Sequence, residues 1–501
     1  MRKTESMDKI EFLKSINFGE SVAELEADNL RNYFLKTHHW QQVRNGEVDV
    51  VYGPKGSGKS AIYSLINDHE PDFFQENIIL KFAENPRGAT AFSTLQTDPP
   101  ANERSFIYLW KLYLLCLIGE HLEAFESQSA SANAVVSALK SSGFILETNP
   151  LRVFIGKASN YIKKYFNPGC LEPNLSFDEA TGTVTGAGIK ISFSEPSPSH
   201  AATGVQSIDT LLYKANEALD STGFSLWFLL DRLDVAFAES PELEENALRA
   251  LFKTYLDLAG FDRIQLRIFL RNDIWEAITR EGFREATHIQ KTTTISWDRA
   301  GLLNLIMLRF ASNDAICRAY DIDLEKIRSS QEYQESLFYQ MFPDQVDTGR
   351  NPKTLDWLIS RVQDSAGYSA PRDIVNLINA ALRRQIHFIE VGAESPEGTL
   401  LFTRRALKEA LTEASKEKVQ KYLFAEHPGL RDKLELLKGR KTSQTAQTLS
   451  ELWNIPVDEA NSIADRIQKA GVWKTEGSEP VRYWTMFIFR DGLQMIQGQA
   501  E

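Results

Sequence analysis

The chain has 501 residues, of which 43% are hydrophobic and 25% charged, a globular composition in a chain too long for a single core. Its formal net charge of −12, from 56 basic and 68 acidic residues, argues against a protein coated in nucleic acid but leaves room for a local basic patch. Its three cysteines, Cys116, Cys170 and Cys317, form no CxxC pair, which excludes a disulfide scaffold and a cysteine zinc site and favours the reducing cytoplasm.

Residues 1–300 alternate strand-like and helix-like runs, the pattern of an α/β fold. A helix over about 102–125 is predicted to be a buried core helix and not a membrane span, because its apolar run is short and contains Lys111. An insertion at about 125–205 follows, and its segment 174–193 predicts a β-hairpin from alternating residues around glycine-rich turns. The predicted strands are VDVVYG (48–53), NIILKFA (77–83), SLWFLLD (225–231), RIFLR (267–271) and HIQKTTTISW (288–297).

The phosphate-binding signal is GPKGSGKS, Gly53 to Ser60, which fits GxxxxGK[ST] and lies between an apolar strand and a helix. Glycines let successive N–H groups converge on phosphate oxygens, Lys59 adds a cation beside the β- and γ-phosphates, and the Ser60 hydroxyl suits Mg²⁺. The sequence therefore predicts an ATP site. The predicted contacts are Gly53, Pro54, Lys55, Gly56, Ser57, Gly58, Lys59, Ser60 and Ala61.

Asp231 ends the apolar strand SLWFLLD and is predicted to hold Mg²⁺ together with Ser60. The alternative is an aspartate that merely caps a turn. It is disfavoured because a phosphate loop needs an acidic partner and no other predicted strand ends in a carboxylate.

After Trp297 helical periodicity dominates, which predicts a helical lid over 297–390 and a connecting helix over 391–430. Residues 431–501 read as a winged helix-turn-helix, with helices RDKLELLKG, SQTAQTLSELW and PVDEANSIADRIQKAG and strands VWKTEG and VRYWTMFIF. The two remaining predicted domains are a lead-in over 1–45 and the phosphate-loop core over 46–296.

The winged-helix segment 431–490 carries ten basic and eight acidic residues, a net charge of +2. This permits contacts to a phosphate backbone, but the acids of the third helix would repel one, so DNA and protein partners stay equally open. Those acids are Asp458, Glu459 and Asp465. The candidate DNA contacts are Lys438, Arg440, Lys441 and Lys474.

Six segments together resemble a prokaryotic P-loop ATPase family on the border between AAA+ and STAND NTPases, whose relatives include origin-recognition-type AAA+ proteins. The resemblance covers roughly residues 15–390. It implies an α/β P-loop NTPase fold with a parallel five-stranded core, an α-helical lid and a C-terminal winged helix, often in bacterial antiviral defence or mobile gene neighbourhoods. The segments are NFGESVAELEADNLRNYFLKT (17–37), GPKGSGKS, FLLDRLD, IFLRNDIW (268–275), ISWDRAGLLNLIMLRF (295–310) and SAPRDIVNLINAA (369–381).

The resemblance also implies roles for particular residues. Asp231 takes the Walker B place, Arg271 or Asn272 the sensor 1 place, and Arg372 the sensor 2 place, while the segment 18–33 would wrap the adenine. The alternatives are that Arg271 and Asn272 only cap a strand end, and that Arg372 only pairs with a neighbouring aspartate, Asp373 or Asp364.

The sequence departs from the AAA+ pattern at Arg232, which stands where the catalytic glutamate is expected and cannot act as a base. The next acid, Asp234, is the candidate replacement that would orient water. Arg249, Arg280 and Arg284 are candidate arginine fingers, although an ordinary surface arginine is the favoured interpretation of each.

These features predict a cytoplasmic, Mg²⁺-dependent and slow ATPase that couples its nucleotide state to assembly as a homo-oligomer, or to a partner effector protein or DNA, without a membrane. The alternative is a nucleotide-gated DNA-binding or adaptor protein with little or no hydrolysis.

Overall fold

The computed structural model describes residues 9–21, 26, 30, 33, 37–83, 103–125, 129–144, 175–178, 183–186, 191–193, 195–202, 204–231, 233, 241–280 and 282–500. Two compact units make up the chain. The sheet unit comprises Thr37–Gly53 and Lys59–Ile295, and the lid–winged-helix unit comprises Met1–Lys36, Pro54–Gly58 and Ser296–Glu501. Arg232, Asp234 and most of the predicted insertion lie outside the described residues.

Strands and helices alternate through residues 9–294, as expected for an α/β fold. A 3-10 helix, Arg284–His288, precedes the last strand of this region. In chain order the elements are α1 (Lys9–Lys14), α2 (His38–Arg44), β1 (Val50–Gly53), α3 (Lys59–Asp68), α4 (Glu70–Gln75), β2 (Ile78–Phe82), α5 (Glu103–Ala124), α6 (Ala130–Ser141), β3 (Leu175–Asp178), β4 (Thr183–Gly186), β5 (Ile191–Ser192), α7 (Pro198–Ala202), β6 (Gln206–Ser207), α8 (Ile208–Thr222), β7 (Ser225–Leu230), α9 (Pro241–Leu258), β8 (Ile264–Arg271), α10 (Asn272–Arg280) and β9 (Thr292–Thr294).

The sheet unit is built on a five-stranded sheet in the order β2-β7-β8-β1-β9. Every neighbouring pair in it is parallel, and β1 lies between β8 and β9. All of β1 and all but the first residue of β7 are buried, because helices cover both faces of a parallel sheet. The carboxyl ends of β1, β7 and β8 therefore meet at one edge, where the phosphate loop begins.

Two predictions about this region are settled by the pairing of strands. The predicted hairpin is confirmed, since β3 and β4 pair antiparallel from Leu175–Gly186 to Asp178–Thr183. The predicted strand 288–297 is too long: only Thr292–Thr294 pairs with β1, and His288 is the last residue of the 3-10 helix.

Helix α5 passes a membrane-span test by length and composition, with a mean hydropathy of 1.2 over its most apolar window, but 83% of that window is buried inside the protein. Trp110 and Tyr113 pack in the core of the sheet unit, and the Trp110 indole donates a hydrogen bond to the Ala247 carbonyl at 2.9 Å. Lys111 is buried and forms ion pairs with Asp209 and Asp257 at 2.8 and 2.6 Å. Helix α5 is thus a core helix of this unit, as its sequence predicts.

Helices dominate the remainder of the chain, residues 299–499. A π-helix, Lys418–Leu423, continues α17, and a 3-10 helix, Pro428–Leu430, precedes α19. The elements are α11 (Arg299–Ala311), α12 (Asp314–Tyr320), α13 (Leu324–Ser329), α14 (Gln331–Met341), α15 (Thr354–Val362), α16 (Pro371–Glu390), α17 (Arg404–Glu417), α18 (Phe424–Glu426), α19 (Arg431–Glu435), β10 (Lys441–Thr445), α20 (Ala446–Trp453), α21 (Val457–Lys469), β11 (Trp473–Glu476), β12 (Arg482–Thr485), α22 (Phe487–Arg490) and β13 (Ile496–Gln499).

The C-terminal winged helix has a sheet in the order β11-β12-β10-β13. Two predicted elements differ from it. The start of the predicted second helix is part of strand β10. The last residue of β10, Thr445, is the N-cap of α20, and Thr445 and Thr448 each accept a hydrogen bond from the backbone N–H of the other. The predicted strand 481–489 ends at Thr485, because α22 buries both Ile488 and Phe489, which an extended strand would point to opposite faces.

Candidate nucleotide-binding site

The phosphate loop follows β1, in the middle of the parallel sheet, and leads into α3. Gly56 and Gly58 have φ angles of +79° and +102°, a region that glycine adopts without steric cost. The loop therefore needs glycine at these two positions, as the sequence motif indicates.

In the sheet unit, the side chains that the motif supplies lie beside the end of β7. The Lys59 Nζ donates a hydrogen bond to the Gly53 carbonyl at 2.6 Å. The Ser60 hydroxyl donates to Asp231 Oδ2 at 2.9 Å, and Asp231 is only 5% exposed. The sequence places Ser60 and Asp231 171 residues apart, and the parallel sheet brings them together.

Strand β8 stands between β1 and β7, so its last residues lie between the end of β1 and Asp231. Arg271 pairs in register with Gly53, and its guanidinium donates to both carboxylate oxygens of Asp273 at 3.0 and 2.6 Å. Burial raises the pKa of Asp273, but this ion pair outweighs burial and leaves the pKa below its usual value. Asn272 opens α10, and its buried Oδ1 accepts no hydrogen bond within the described part of the chain.

In the lid–winged-helix unit, two residues contact the outer side of the phosphate loop. The Arg372 backbone N–H points at the Gly56 carbonyl at 3.5 Å, and the Trp297 indole donates to the Ser57 carbonyl at 2.8 Å. A Cβ placed on Gly56 would lie 3.0 Å from the Arg372 Cβ, so the contact is close. The structure thus turns two loop carbonyls toward the lid.

Arg372 pairs with neither of the aspartates that were its alternative partners. Asp373 accepts from the Lys418 Nζ at 2.7 Å, and Asp364 accepts from the backbone N–H groups of Ala366 and Tyr368. Among the described residues, the Arg372 Nε has no hydrogen-bond partner. The guanidinium is instead 5.8 Å from the ring centre of Tyr422.

The segment predicted to wrap the adenine packs against α11 in its described positions. Phe18 lies 4.8 Å from the Phe310 ring, and Arg309 binds both carboxylate oxygens of Glu26 at 3.0 and 2.8 Å. The Tyr33 hydroxyl donates to the same carboxylate. This segment is tied to the lid by a buried ion pair that its sequence did not reveal.

The candidate arginine fingers occupy two kinds of position. Arg249 is held within the sheet unit, because its Nε donates to the Ile278 carbonyl at 2.9 Å and its Nη2 lies 3.5 Å from Glu245. Arg280 and Arg284 are exposed at the end of α10 and in the following 3-10 helix. Arg280 and Arg284 are therefore better placed than Arg249 to reach another molecule.

The four candidate DNA contacts are all exposed. Lys441 begins β10 and pairs with Ile496, whereas the other end of β10, Thr445, pairs with Arg482 beside the wing loop. Lys441 thus lies at the end of the sheet away from the wing loop, and Lys474, in β11, lies level with Ser443 across β12.

Three residues that contact the phosphate loop were not singled out from the sequence. They are Trp297, Tyr422 and Glu426, the last of which forms an ion pair with Lys55. Trp297 lies in a segment that carries the family resemblance, but nothing in the spacing of Tyr422 and Glu426 relates them to a loop more than 360 residues away.

The chain has the P-loop NTPase fold, with a parallel five-stranded core, a helical lid and a C-terminal winged helix. No protein-family model and no curated protein matches it. Among solved structures, it is similar to the ORC1 protein of Aeropyrum pernix in complex with DNA, at 10% identity over 95% of this chain and 96% of that chain, with a TM-score of 0.38. The ORC2 protein of the same organism, solved as ADPNP–ADP complexes, aligns at 11% identity over 94% and 92% of the chains, with a TM-score of 0.31. At such low TM-scores these likenesses carry no argument.

Proposed function

We propose that this protein binds ATP with Mg²⁺ at the phosphate loop and hydrolyses it slowly, as a switch. The observation that carries the proposal is the 2.9 Å contact between Ser60 and the buried Asp231, next to Lys59 in a glycine-rich loop. A phosphate loop and a companion acid brought together from distant parts of the sequence are the two parts that such a site requires.

The donor set fits Mg²⁺, which takes oxygen ligands and is commonly held by one or two protein groups together with phosphates and water. Ser60 Oγ and the Asp231 carboxylate would be those groups. When bound, Mg²⁺ would neutralise charge on the β- and γ-phosphate oxygens. The cytoplasm, where we expect the protein to be, contains both ATP and Mg²⁺.

The residues of the chain would divide the remaining work. The loop N–H groups bind phosphate oxygens, and Lys59 exchanges the Gly53 carbonyl for the β- and γ-phosphates. Arg372 contributes a cation from the lid at Gly56. Of the two sensor 1 candidates, Asn272 has a buried oxygen open to a water or phosphate-bound proton, whereas Arg271 is held by Asp273.

Slow turnover follows from the missing acid. Arg232 directly follows Asp231 and stays protonated, so the orientation of water falls to Asp234, outside the described residues. Positioning and electrostatics supply most of the rate in phosphoryl transfer, so a displaced acid sustains a low rate. The alternative function, a nucleotide-gated DNA-binding or adaptor protein with little hydrolysis, is favoured by the same missing acid.

Single-turnover hydrolysis measured beside light scattering separates these functions. Lys59→Ala should abolish ATP binding in either case, and Ser60→Ala should remove the Mg²⁺ dependence of binding, whereas Ser64→Ala, one turn further along α3, should change neither. If Asp234→Ala still assembles with ATP but no longer hydrolyses it, Asp234 orients the water. If the wild type itself never hydrolyses ATP yet assembles with it, the protein is a switch alone, and turnover at tens per second would contradict slow hydrolysis.

The partner of the switch is proposed from the winged helix and the surface charges. Homo-oligomers, an effector protein and DNA are the candidates, and a bacterial antiviral defence setting rests on the sequence resemblance alone. Changing Lys438, Arg440 and Lys441 together to glutamine should abolish salt-sensitive DNA binding if DNA is the partner. Unchanged binding would make the winged helix, whose α21 exposes Asp458, Glu459 and Asp465, a protein-contact module.

A further inference from the structure

A rare helical form lies beside the phosphate loop within the lid–winged-helix unit. Residues 418–423 form a π-helix. This geometry is rare in proteins and, where it occurs, is often found at functional sites. Its Tyr422 is half-buried, and the short α18 that follows ends at Glu426. Glu426 forms an ion pair with Lys55, the third residue of the loop.

Three cations converge on the Tyr422 ring. Lys55 Nζ, Lys418 Nζ and Arg372 Cζ lie 5.4, 5.6 and 5.8 Å from the ring centre, within the range of cation–π attraction. They come from the phosphate loop, the π-helix and the lid helix α16. One tyrosine thus gathers one cation from the loop, one from the lid helix and one from its own π-helix.

Among the described salt bridges, two carboxylates pair with these three cations. Glu426 pairs with Lys55, and Asp373 pairs with Lys418 at 2.7 Å. The Arg372 guanidinium has no carboxylate partner among the described salt bridges, and its Nε has no described hydrogen-bond partner. Asp364 adds a third carboxylate that acts electrostatically on Lys418, so Arg372 is the cation of this group that is left to attract an anion.

We propose that Glu426 and Tyr422 form a latch on the phosphate loop, in which Glu426 holds Lys55 until the phosphates of an incoming nucleotide take that cation over. Lys55 is part of the loop that would wrap the phosphates, so Glu426 and the terminal phosphate compete for one ammonium group. Nucleotide binding then releases the segment Lys418–Glu426, which leads directly into the winged helix. The latch rests on the proposed function.

The latch makes opposite predictions for its two members. Glu426→Gln removes the competitor and should tighten ATP binding by about two- to fivefold, the value of a partly exposed ion pair. The gain should be smaller for ADP, which lacks the terminal phosphate. Tyr422→Leu should weaken ATP binding because Arg372 and Lys55 lose the ring that gathers them, and Tyr422→Phe, which keeps a π-face, should restore it.

The experiment is calorimetric titration of the full chain with ATP and ADP at low and physiological salt. Glu417→Gln is the matched control, because it removes the same charge from the adjoining helix, where Glu417 pairs with Lys421 at 2.8 Å. Tighter binding by Glu426→Gln but not by Glu417→Gln, with a gain that shrinks at higher salt, supports the latch. Equal or weaker binding by Glu426→Gln in a chain that binds ATP overturns it.

A second measurement without nucleotide separates failure of the latch from failure of the proposed function. If the wild type does not bind ATP, and Lys59→Ala behaves identically, the proposed function fails. A double-mutant cycle of Lys55→Met and Glu426→Gln, measured by hydrogen exchange of the amides of α16, then decides the latch contact by itself. Measurable coupling supports the contact, and strictly additive effects overturn it.

Discussion

Replacing Arg309 with methionine should destabilise the lid–winged-helix unit, because it removes the cation that pairs with the buried carboxylate of Glu26. The Arg309 and Glu26 side chains are only 9% and 3% exposed, and they form a two-bond ion pair. Arg309 also donates to the Phe18 carbonyl at 2.8 Å. Methionine keeps most of the packing of the arginine stem, so the substitution tests the charge and its hydrogen bonds.

The magnitude follows from what Glu26 keeps after the change. Removing one partner of a buried ion pair costs about 3–5 kcal/mol, because the other charge stays buried and unpaired. Glu26 still accepts the Tyr33 hydroxyl and the Glu20 N–H, so the lower end of that range, about 3 kcal/mol, is expected. Adding Glu26→Gln to Arg309→Met should recover part of the loss, since no charge is then left in the interior.

The matched control is Arg383→Met on the same lid. Arg383 pairs with Glu413 at 2.8 Å, but the two side chains are 58% and 29% exposed, so its removal should cost less than about 1 kcal/mol. Hydrogen exchange of the amides of α11 is the assay, because a chain of two units does not unfold in a single transition. A loss for Arg309→Met no larger than that for Arg383→Met would refute the reasoning.

Two further predictions concern pH and the loop. Burial, with a smaller contribution from Lys81, lowers the pKa of His121 from 6.5 to about 4. The unfolded chain therefore takes up a proton near pH 6.5 that the folded chain does not take up until about pH 4, so the free energy of unfolding should fall as the pH drops through this interval. His121→Leu should flatten that slope, measured by hydrogen exchange of the α5 amides at pH 7 and pH 5 after correction for the intrinsic exchange rates. Gly56→Ala should weaken ATP binding by about tenfold or more, because its φ of +79° strains alanine and the new methyl meets Arg372 at 3.0 Å. The control Gly223→Ala has a similar φ of +75° and open space around it, and it should cost stability while ATP affinity stays unchanged.

Local patterns in the sequence determined much of the fold. The apolar runs that form β1, β2, β7 and β8 were predicted, because strands buried on both faces are continuously apolar. The phosphate loop was recognised because its glycines, lysine and serine act through local backbone geometry. The boundaries that failed, in 288–297 and 481–489, lie where a strand-forming run is redirected by packing that no local pattern records.

Tertiary structure alone decided which residues share the candidate site. The sequence offers Asp231 as an acid that ends a strand, but only the parallel sheet, with β8 between β1 and β7, brings it to 2.9 Å from Ser60. The contacts of Arg309 with Glu26 and of Glu426 with Lys55 join positions hundreds of residues apart. Charged residues usually lie at the surface, and no periodic pattern in the sequence indicates which distant charges will pair. Sequence records what a backbone segment prefers locally, whereas the pairing of distant charges depends on which surfaces the folded chain brings together.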